Sequence, residues 1–289
     1  MVTLPHFHIP QEVNTLAGDS AGKGAQQQAP SEAFNKNDVI ELTLDEDIIR
    51  HFNVLRLKAQ EHFVLVDPNG AAHTFELIEP IEHNSKRVKA QFLACEQYEN
   101  PVSVTLVQGI SSSDRMDQTI RQVTELGVSR IIPLESDRCT VRLTSESREK
   151  KKDRWLRIIR AAAEQSTCGF LPVLQAPCTL LDALSLVSDC DVVLAAWEEY
   201  EGLGIREALA GRGPKAHVAL FVGPEGGFDV SEIEVMQAAG AHLVSLGSSI
   251  LRTETAAVVG TALVLHELGE LGNRLAQNAV QTPQADYLD

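Results

Sequence analysis

The chain of 289 residues is poor in aromatics, short of positive charge and without any apolar run approaching the ~18 residues needed to cross a bilayer. A membrane-spanning helix is therefore not expected. Five cysteines, Cys95, Cys139, Cys168, Cys178 and Cys190, form an odd set with no Cys-x-x-Cys pair. That pattern argues against a disulfide framework and against a zinc site, so reduced thiols, no metal and a cytoplasmic location are expected. Residues 1–10 lack a basic segment followed by an apolar one, so no signal peptide is expected. A formal net charge of −15 speaks against a generic nucleic-acid glue, because phosphate binding uses clustered Lys and Arg. The average conceals one exception. Residues 138–160 carry nine basic and three acidic side chains, enough for a local polyanion-binding patch or simply a solvated helix face.

What is present divides the chain in two. Residues 14–36 are rich in Gly, Ala, Gln and Ser, and read as a flexible insertion that cannot bury enough surface to offset its ordering entropy. Residues 39–95 read as strands with one short helix at 45–55. Asp67-Pro68-Asn69-Gly70 joins two of those strands as a hairpin turn. After residue 100 apolar strands alternate with helices. Strands are expected at 102–107, 131–132, 192–196, 217–222 and 242–246, and helices at 114–126, 147–165, 229–239 and 253–268. Such alternation implies an α/β domain with a largely parallel sheet. The expected division is a β-rich domain at 1–98, an α/β domain at 99–273 and a flexible tail at 274–289.

Two strand–helix junctions stand out. Leu220-Phe221-Val222 runs into Gly223-Pro224-Glu225-Gly226-Gly227-Phe228, followed by Asp229 and Glu232 at capping-box spacing. Glycines there allow close backbone approach to a ligand, at the carboxyl end of a buried strand where open α/β sheets bind ligands. No Gly-Lys-Ser/Thr follows, which excludes a P-loop. The dinucleotide-like Gly211-Arg212-Gly213 precedes a strand instead of following one. A bare tight turn remains an alternative on this motif alone. The second junction is Leu246-Gly247-Ser248-Ser249-Ile250-Leu251-Arg252-Thr253-Glu254-Thr255, polar and small where a helix N-terminus presents free N–H groups.

Together and in this order, the two motifs resemble the ribosomal RNA small subunit methyltransferase E family, uridine N3-methyltransferases of the SPOUT superfamily. The likeness extends to Asp114-Arg115-Met116-Asp117, Thr124-Glu125-Leu126-Gly127-Val128, the stretch from Pro133 to Cys139, Trp155, Ala163-Glu164-Gln165-Ser166, and His51 with Val54-Leu55-Arg56. It covers about residues 39–272.

The resemblance implies a SPOUT trefoil-knot α/β methyltransferase domain behind a small PUA-like β-barrel that helps hold RNA. It implies S-adenosyl-L-methionine as cofactor, held largely by backbone around Leu220, Gly223, Pro224, Glu225, Gly226, Leu246, Gly247, Ile250, Leu251 and Thr253. It implies a homodimer acting on ribosomal RNA or the small subunit. Arg252 is the candidate for stabilising charge or fixing a phosphate at the reaction centre, with Glu254 a weaker candidate base. Arg56, Arg138, Lys150, Lys151, Lys152 and Arg154 are the candidate RNA contacts. Departures from the family pattern fall at His6, Ser112-Ser113, Gln122, Cys168 and Ser248-Ser249, mostly where a positive charge is usual. They touch RNA contact more than cofactor binding. A knotted enzyme acting on a ribose 2′-oxygen or on transfer RNA, or a noncatalytic RNA-binding protein, are the alternatives.

Overall fold

The computed structural model describes residues 4–9, 34–67, 70–81, 85–97 and 103–271. The expected flexible insertion at 14–36, apart from its last three residues, lies outside them, as do Pro68-Asn69 of the hairpin turn and the tail at 274–289. The chain divides into two compact units, residues 1–99 with 159–171, and residues 100–158 with 172–289. Segment 159–171 was expected in the second domain. It groups with the first because His51 Nδ1 lies 3.0 Å from Glu164 Oε2 and Arg160 faces Asp45 and Asp47.

The first unit holds β1 (His6–His8), β2 (Val39–Thr43), α1 (Glu46–Leu55), β3 (His62–Val66), β4 (Ala71–Leu77) and β5 (Arg87–Gln97). They form a mixed five-stranded sheet, order β1-β3-β4-β5-β2, in which only β1–β3 is parallel. Asp45 starts α1 by accepting the Ile48 N–H at 2.8 Å, and α1 buries Ile48, Ile49 and Phe52. The scarce aromatics concentrate here: Phe7, Phe52, Phe63, Phe75 and Phe92 fill one core, most of them in tilted or edge-on pairs.

The second unit is a parallel six-stranded sheet, order β11-β9-β10-β6-β7-β8. Its strands are β6 (Ser103–Gly109), β7 (Arg130–Leu134), β8 (Val173–Leu174), β9 (Val192–Ala196), β10 (His217–Val222) and β11 (His242–Val244). Strands covered on both faces must be apolar throughout, which is why they read as continuous apolar runs. Helices α2 (Ser113–Leu126), α3 (Ser145–Ser166), α4 (Leu180–Leu186), α5 (Ile205–Ala208), α6 (Val230–Ala238) and α7 (Thr253–Glu267) connect and follow them. Gly127, with φ 89°, closes α2 as the left-handed residue its position predicts. Asp229 and Glu232 form the expected capping box on α6.

Strand order places β10 between β9 and β6, so the chain fans out in both directions from this point. The carboxyl ends of β6, β9 and β10 therefore meet at a topological switch point. After β11 the chain passes through residues 245–252 and lays α7 against α2, β6 and β10, the return path expected of a trefoil knot. Gly260 allows that approach: a Cβ there would stand 2.8 Å from Leu220 Cδ2.

His8 is 2% exposed on β1. Burial, aided by the charges of His6 and Arg160, lowers its pKa to about 4, against a smaller opposing effect from the Cys168 backbone. The folded first unit thus keeps His8 neutral where the unfolded chain would protonate it. Its stabilising contribution is complete above pH 6.5 and is lost as pH falls towards 4, worth roughly 3 kcal/mol at full extent. Denaturant unfolding of wild type should show that loss between these limits, and His8→Leu should flatten it. An unchanged pH profile in His8→Leu would assign the acid sensitivity elsewhere.

Candidate active site

A cavity of about 280 Å³ opens at the switch point. Its floor is formed by the last residues of neighbouring strands, Ala196 of β9 and Val222 of β10, with Ser245 just after β11. One wall is the loop Gly223-Pro224-Glu225 with Gly227; the other is the segment 246–253 leading into α7. The two loops predicted from sequence thus face each other across one space. Arg115, Trp197, Glu198 and Ala256 complete the lining.

A buried polar cluster fastens the two loops together. The Thr253 hydroxyl donates to the Gly223 carbonyl at 2.5 Å, and the Gln108 side-chain amide donates to Thr253 Oγ1 at 2.9 Å. The same amide donates to the Gly109 carbonyl at 3.0 Å. Gln108 is fully buried near the end of a mostly apolar strand. Beside it Gly109 permits the loop to come close, since a Cβ there would lie 2.4 Å from the Pro224 nitrogen. Gln108 and Gly109 escaped the sequence reading. Their signal was a lone amide side chain and a glycine ending an apolar strand.

Glu225 is held from the other side. Its Oε1 accepts the Ser112 N–H at 2.9 Å and lies 3.4 Å from Arg115 Nη1. Burial works to raise the pKa of Glu225, but the bonds from Ser112 and the Arg115 charge outweigh it, and the carboxyl stays below its ordinary value. The other oxygen, Oε2, is buried without a partner among the described residues.

Of the expected cofactor residues, Gly223, Pro224, Glu225, Leu246, Gly247, Ile250, Leu251 and Thr253 line the cavity. Leu220 and Gly226 do not. Leu220 is fully buried beneath it, against Gly260, and Gly226 turns towards Arg138, whose guanidinium bonds the Gly226 carbonyl at 3.3 Å. Arg252 lines the cavity, exposed, with its side chain unpaired among the described residues. Glu254 is 9% exposed in the first turn of α7, off the cavity lining, 3.9 Å from Arg115 Nε. That placement suits bracing of Arg115.

The candidate RNA residues are more heavily paired than the basic run suggests. Arg138 pairs with Asp229 at 3.0 Å and Lys150 with Glu146 at 2.6 Å. Arg154 binds the buried Asp117 carboxylate through Nε at 2.7 Å. Lys151 donates to Ser113 Oγ and lies over the Trp155 ring. Lys152 and Arg56 have side chains without a partner among the described residues. Arg56 is the left-handed residue ending α1 in the first unit.

The residues fit a nucleoside-sized cofactor with an amino-acid tail. Among the described residues, the amides of residues 248–252, which line the cavity, donate to no group of the chain. Gly247, at φ 127°, has open space where a side chain would stand. Among the described residues no group of three or more His, Cys, Asp or Glu is arranged to hold a metal, and no helix is long and apolar enough to cross a membrane.

Thr253→Val keeps the shape but removes the hydroxyl that donates to Gly223 and accepts from Gln108, leaving only the longer 3.4 Å Gln108–Gly223 bond between them. It should lower stability by about 1–3 kcal/mol, with Thr253→Ser restoring most of it. Thermal unfolding of the two variants checks this; equal losses would show that the hydroxyl bond does not hold the loops.

Residues 98–265 match the model of the RNA methyltransferase domain family. The chain is 32% identical to the Synechocystis ribosomal RNA small subunit methyltransferase E over 73% of this chain and 68% of that protein. It is 28% identical to the Bacillus subtilis enzyme of the same name, over 77% and 88% of the two chains. A crystal structure of the Neisseria gonorrhoeae ribosomal RNA small subunit methyltransferase E, bound to S-adenosyl methionine, matches with TM-score 0.71 at 30% identity, covering 91% of this chain and 98% of that one. A buried-strand cavity closed by two clasped loops, in a domain that matches along its length, places this chain in the ribosomal RNA small subunit methyltransferase E family.

Proposed function

We propose that this chain transfers a methyl group from S-adenosyl-L-methionine to N3 of a uridine in small-subunit (16S) ribosomal RNA. The observation that carries the reading is the cavity itself: both family loops, separated in sequence, line one space at the carboxyl ends of parallel strands. When bound there, S-adenosylmethionine supplies an electrophilic methyl on a positively charged sulfur.

The chain's contribution is placement and charge. Free amides between Gly247 and Thr253 hold the ligand's position, which is where most of the gain in a displacement reaction can arise. Uracil N3 is an imide that must lose its proton for attack, and negative charge then spreads to the ring oxygens. Arg252, free at the start of α7 and on the cavity wall, is placed to stabilise that charge or to fix the adjoining phosphate. Arg115, braced by Glu225 and Glu254, gives a second cation at the same wall. Gly223, Pro224, Glu225, Leu246, Gly247, Ile250, Leu251 and Thr253 form the cofactor site, and Lys150, Lys151 and Lys152 contact RNA phosphates.

The working unit is a homodimer in the cytoplasm. Support comes from apolar side chains left exposed in the second unit: Ile250 on the cavity wall at 83%, Leu203 at 56% and Leu263 at 38%. Five free cysteines accord with a reducing compartment.

Isolated small-subunit RNA and assembled subunits, incubated with labelled S-adenosylmethionine and digested to nucleosides, should yield 3-methyluridine. Label in a ribose-methylated nucleoside instead would transfer the chain to the 2′-oxygen chemistry. Arg252→Ala should cut turnover by about 100-fold while changing cofactor affinity less than about threefold; matched losses would make Arg252 a cofactor ligand only. Charge reversal at Lys150, Lys151 and Lys152 should weaken RNA binding and shallow its log–log salt slope by about 2. A constant slope would mean that the run is a solvated face.

A further inference from the structure

We propose that Glu198 recognises the vicinal hydroxyls of the ribose of the cavity's nucleoside ligand and so makes the site selective for ribonucleosides. The inference rests on the S-adenosylmethionine reading of the cavity and assigns a recognition role to a residue outside both sequence motifs.

Two carboxylates line the cavity, Glu198 and Glu225. They differ in what is left to them. Glu225 Oε1 is occupied by the Ser112 amide and faces Arg115. The Glu198 carboxylate has no hydrogen bond or ion pair among the described residues. It is exposed to the cavity and needs donors from a ligand.

Its position is fixed by its neighbours. The Trp197 amide donates to the Val244 carbonyl at 3.2 Å, and the Tyr200 amide donates back to the Trp197 carbonyl at 3.2 Å. Trp197 and Tyr200 pack against the core beneath the sheet, so the turn between them is anchored at both ends. Glu198 is left at its crest. Across the cavity Gly227 provides the space that the carboxylate uses: a Cβ on Gly227 would lie 2.0 Å from Glu198 Oε1. Gly227 also has φ 69°, which L side chains rarely adopt. The third glycine of the loop therefore accommodates a turn as well as an acid reaching over from the next strand.

The chemistry follows from the position. Glu198 stands two residues beyond the end of β9, and β9 flanks β10 with Ala196 opposite Val222 in register. An acid near the carboxyl end of the strand beside a glycine-loop strand is the arrangement by which dinucleotide-binding sheets take a ribose hydroxyl. An ionised carboxylate is an acceptor only, with two oxygens at a spacing that suits a cis-diol. A ligand lacking one hydroxyl would leave one oxygen unmatched.

Calorimetric competition on the full chain tests this. S-adenosylhomocysteine is displaced by adenosine or by 2′-deoxyadenosine, in wild type and in Glu198→Gln. Adenosine lacks the amino-acid tail and the charged sulfur, so it isolates the ribose contact. Wild type should prefer adenosine about tenfold. Glu198→Gln, at an exposed position, should keep the wild-type melting temperature. It should bind adenosine about tenfold more weakly and show less than about twofold preference over the deoxy compound. A preference that survives in Glu198→Gln overturns the proposal while leaving the cofactor reading intact. So does a variant that weakens only S-adenosylmethionine, for the carboxylate would then face the ligand's positive charge. Failure of wild type to bind S-adenosylhomocysteine and adenosine at all would overturn the cofactor reading and the Glu198 assignment with it.

Discussion

Everything at the active site depends on clasping two loops that lie about 30 residues apart in sequence but share one wall-to-wall space. The clasp is small: one threonine hydroxyl, one glycine carbonyl and one buried glutamine amide. In a dry interior such bonds have no water to replace them, so each partner left unpaired would cost far more than the bond gains in the open. The clasp explains why Thr253 begins α7 where it does, why Gln108 falls in a mostly apolar strand, and why Gly109 must lack a side chain beneath Pro224. Strand β6 thus reads as the anvil on which both loops are set.

Electrostatics divide between a charged site and a basic run whose charges are largely paired. Near the cavity Arg115 is shared by Glu225 and Glu254, while Arg252 has no side-chain partner among the described residues and is available to an anionic substrate. Along α3 the basic run is met by acids at Glu135, Glu146 and Asp117. Exposed pairs of this kind contribute little to stability and exchange readily with phosphate, whereas Arg154 on the buried Asp117 is held more firmly. At a net charge of −15 the chain offers no broad positive field, so under the proposed function RNA would have to approach locally, at lysines such as Lys152.

Much of this was legible in the sequence because the physics was local. Gly127 as a helix stop, Asp45 and Asp229 as helix starts, and continuous apolar strands each announce themselves within a few residues. Two glycine-bearing junctions located the cavity walls. What escaped was either too short or too distant. β8, α4 and α5 carry two, seven and four residues, too few for a period to show. Gln108, Arg115, Trp197 and Glu198 reach the site only through tertiary folding. Leu220 and Gly226 sat within a recognisable motif, yet one faces the core and the other Arg138, because adjacent residues on a strand end and turn point different ways. The pairing of the basic run was not legible, because most of its partners, such as Asp117 and Glu135, come from other elements.

The central claim is that both loops grip one cofactor molecule between them. Hydrogen exchange of the full chain with and without S-adenosylmethionine reads this directly. The account predicts that amides at 223–228 and at 247–253 slow together on addition of the ligand, at a stoichiometry of about one per chain. Slowing confined to one loop, or centred elsewhere in the chain, would contradict it.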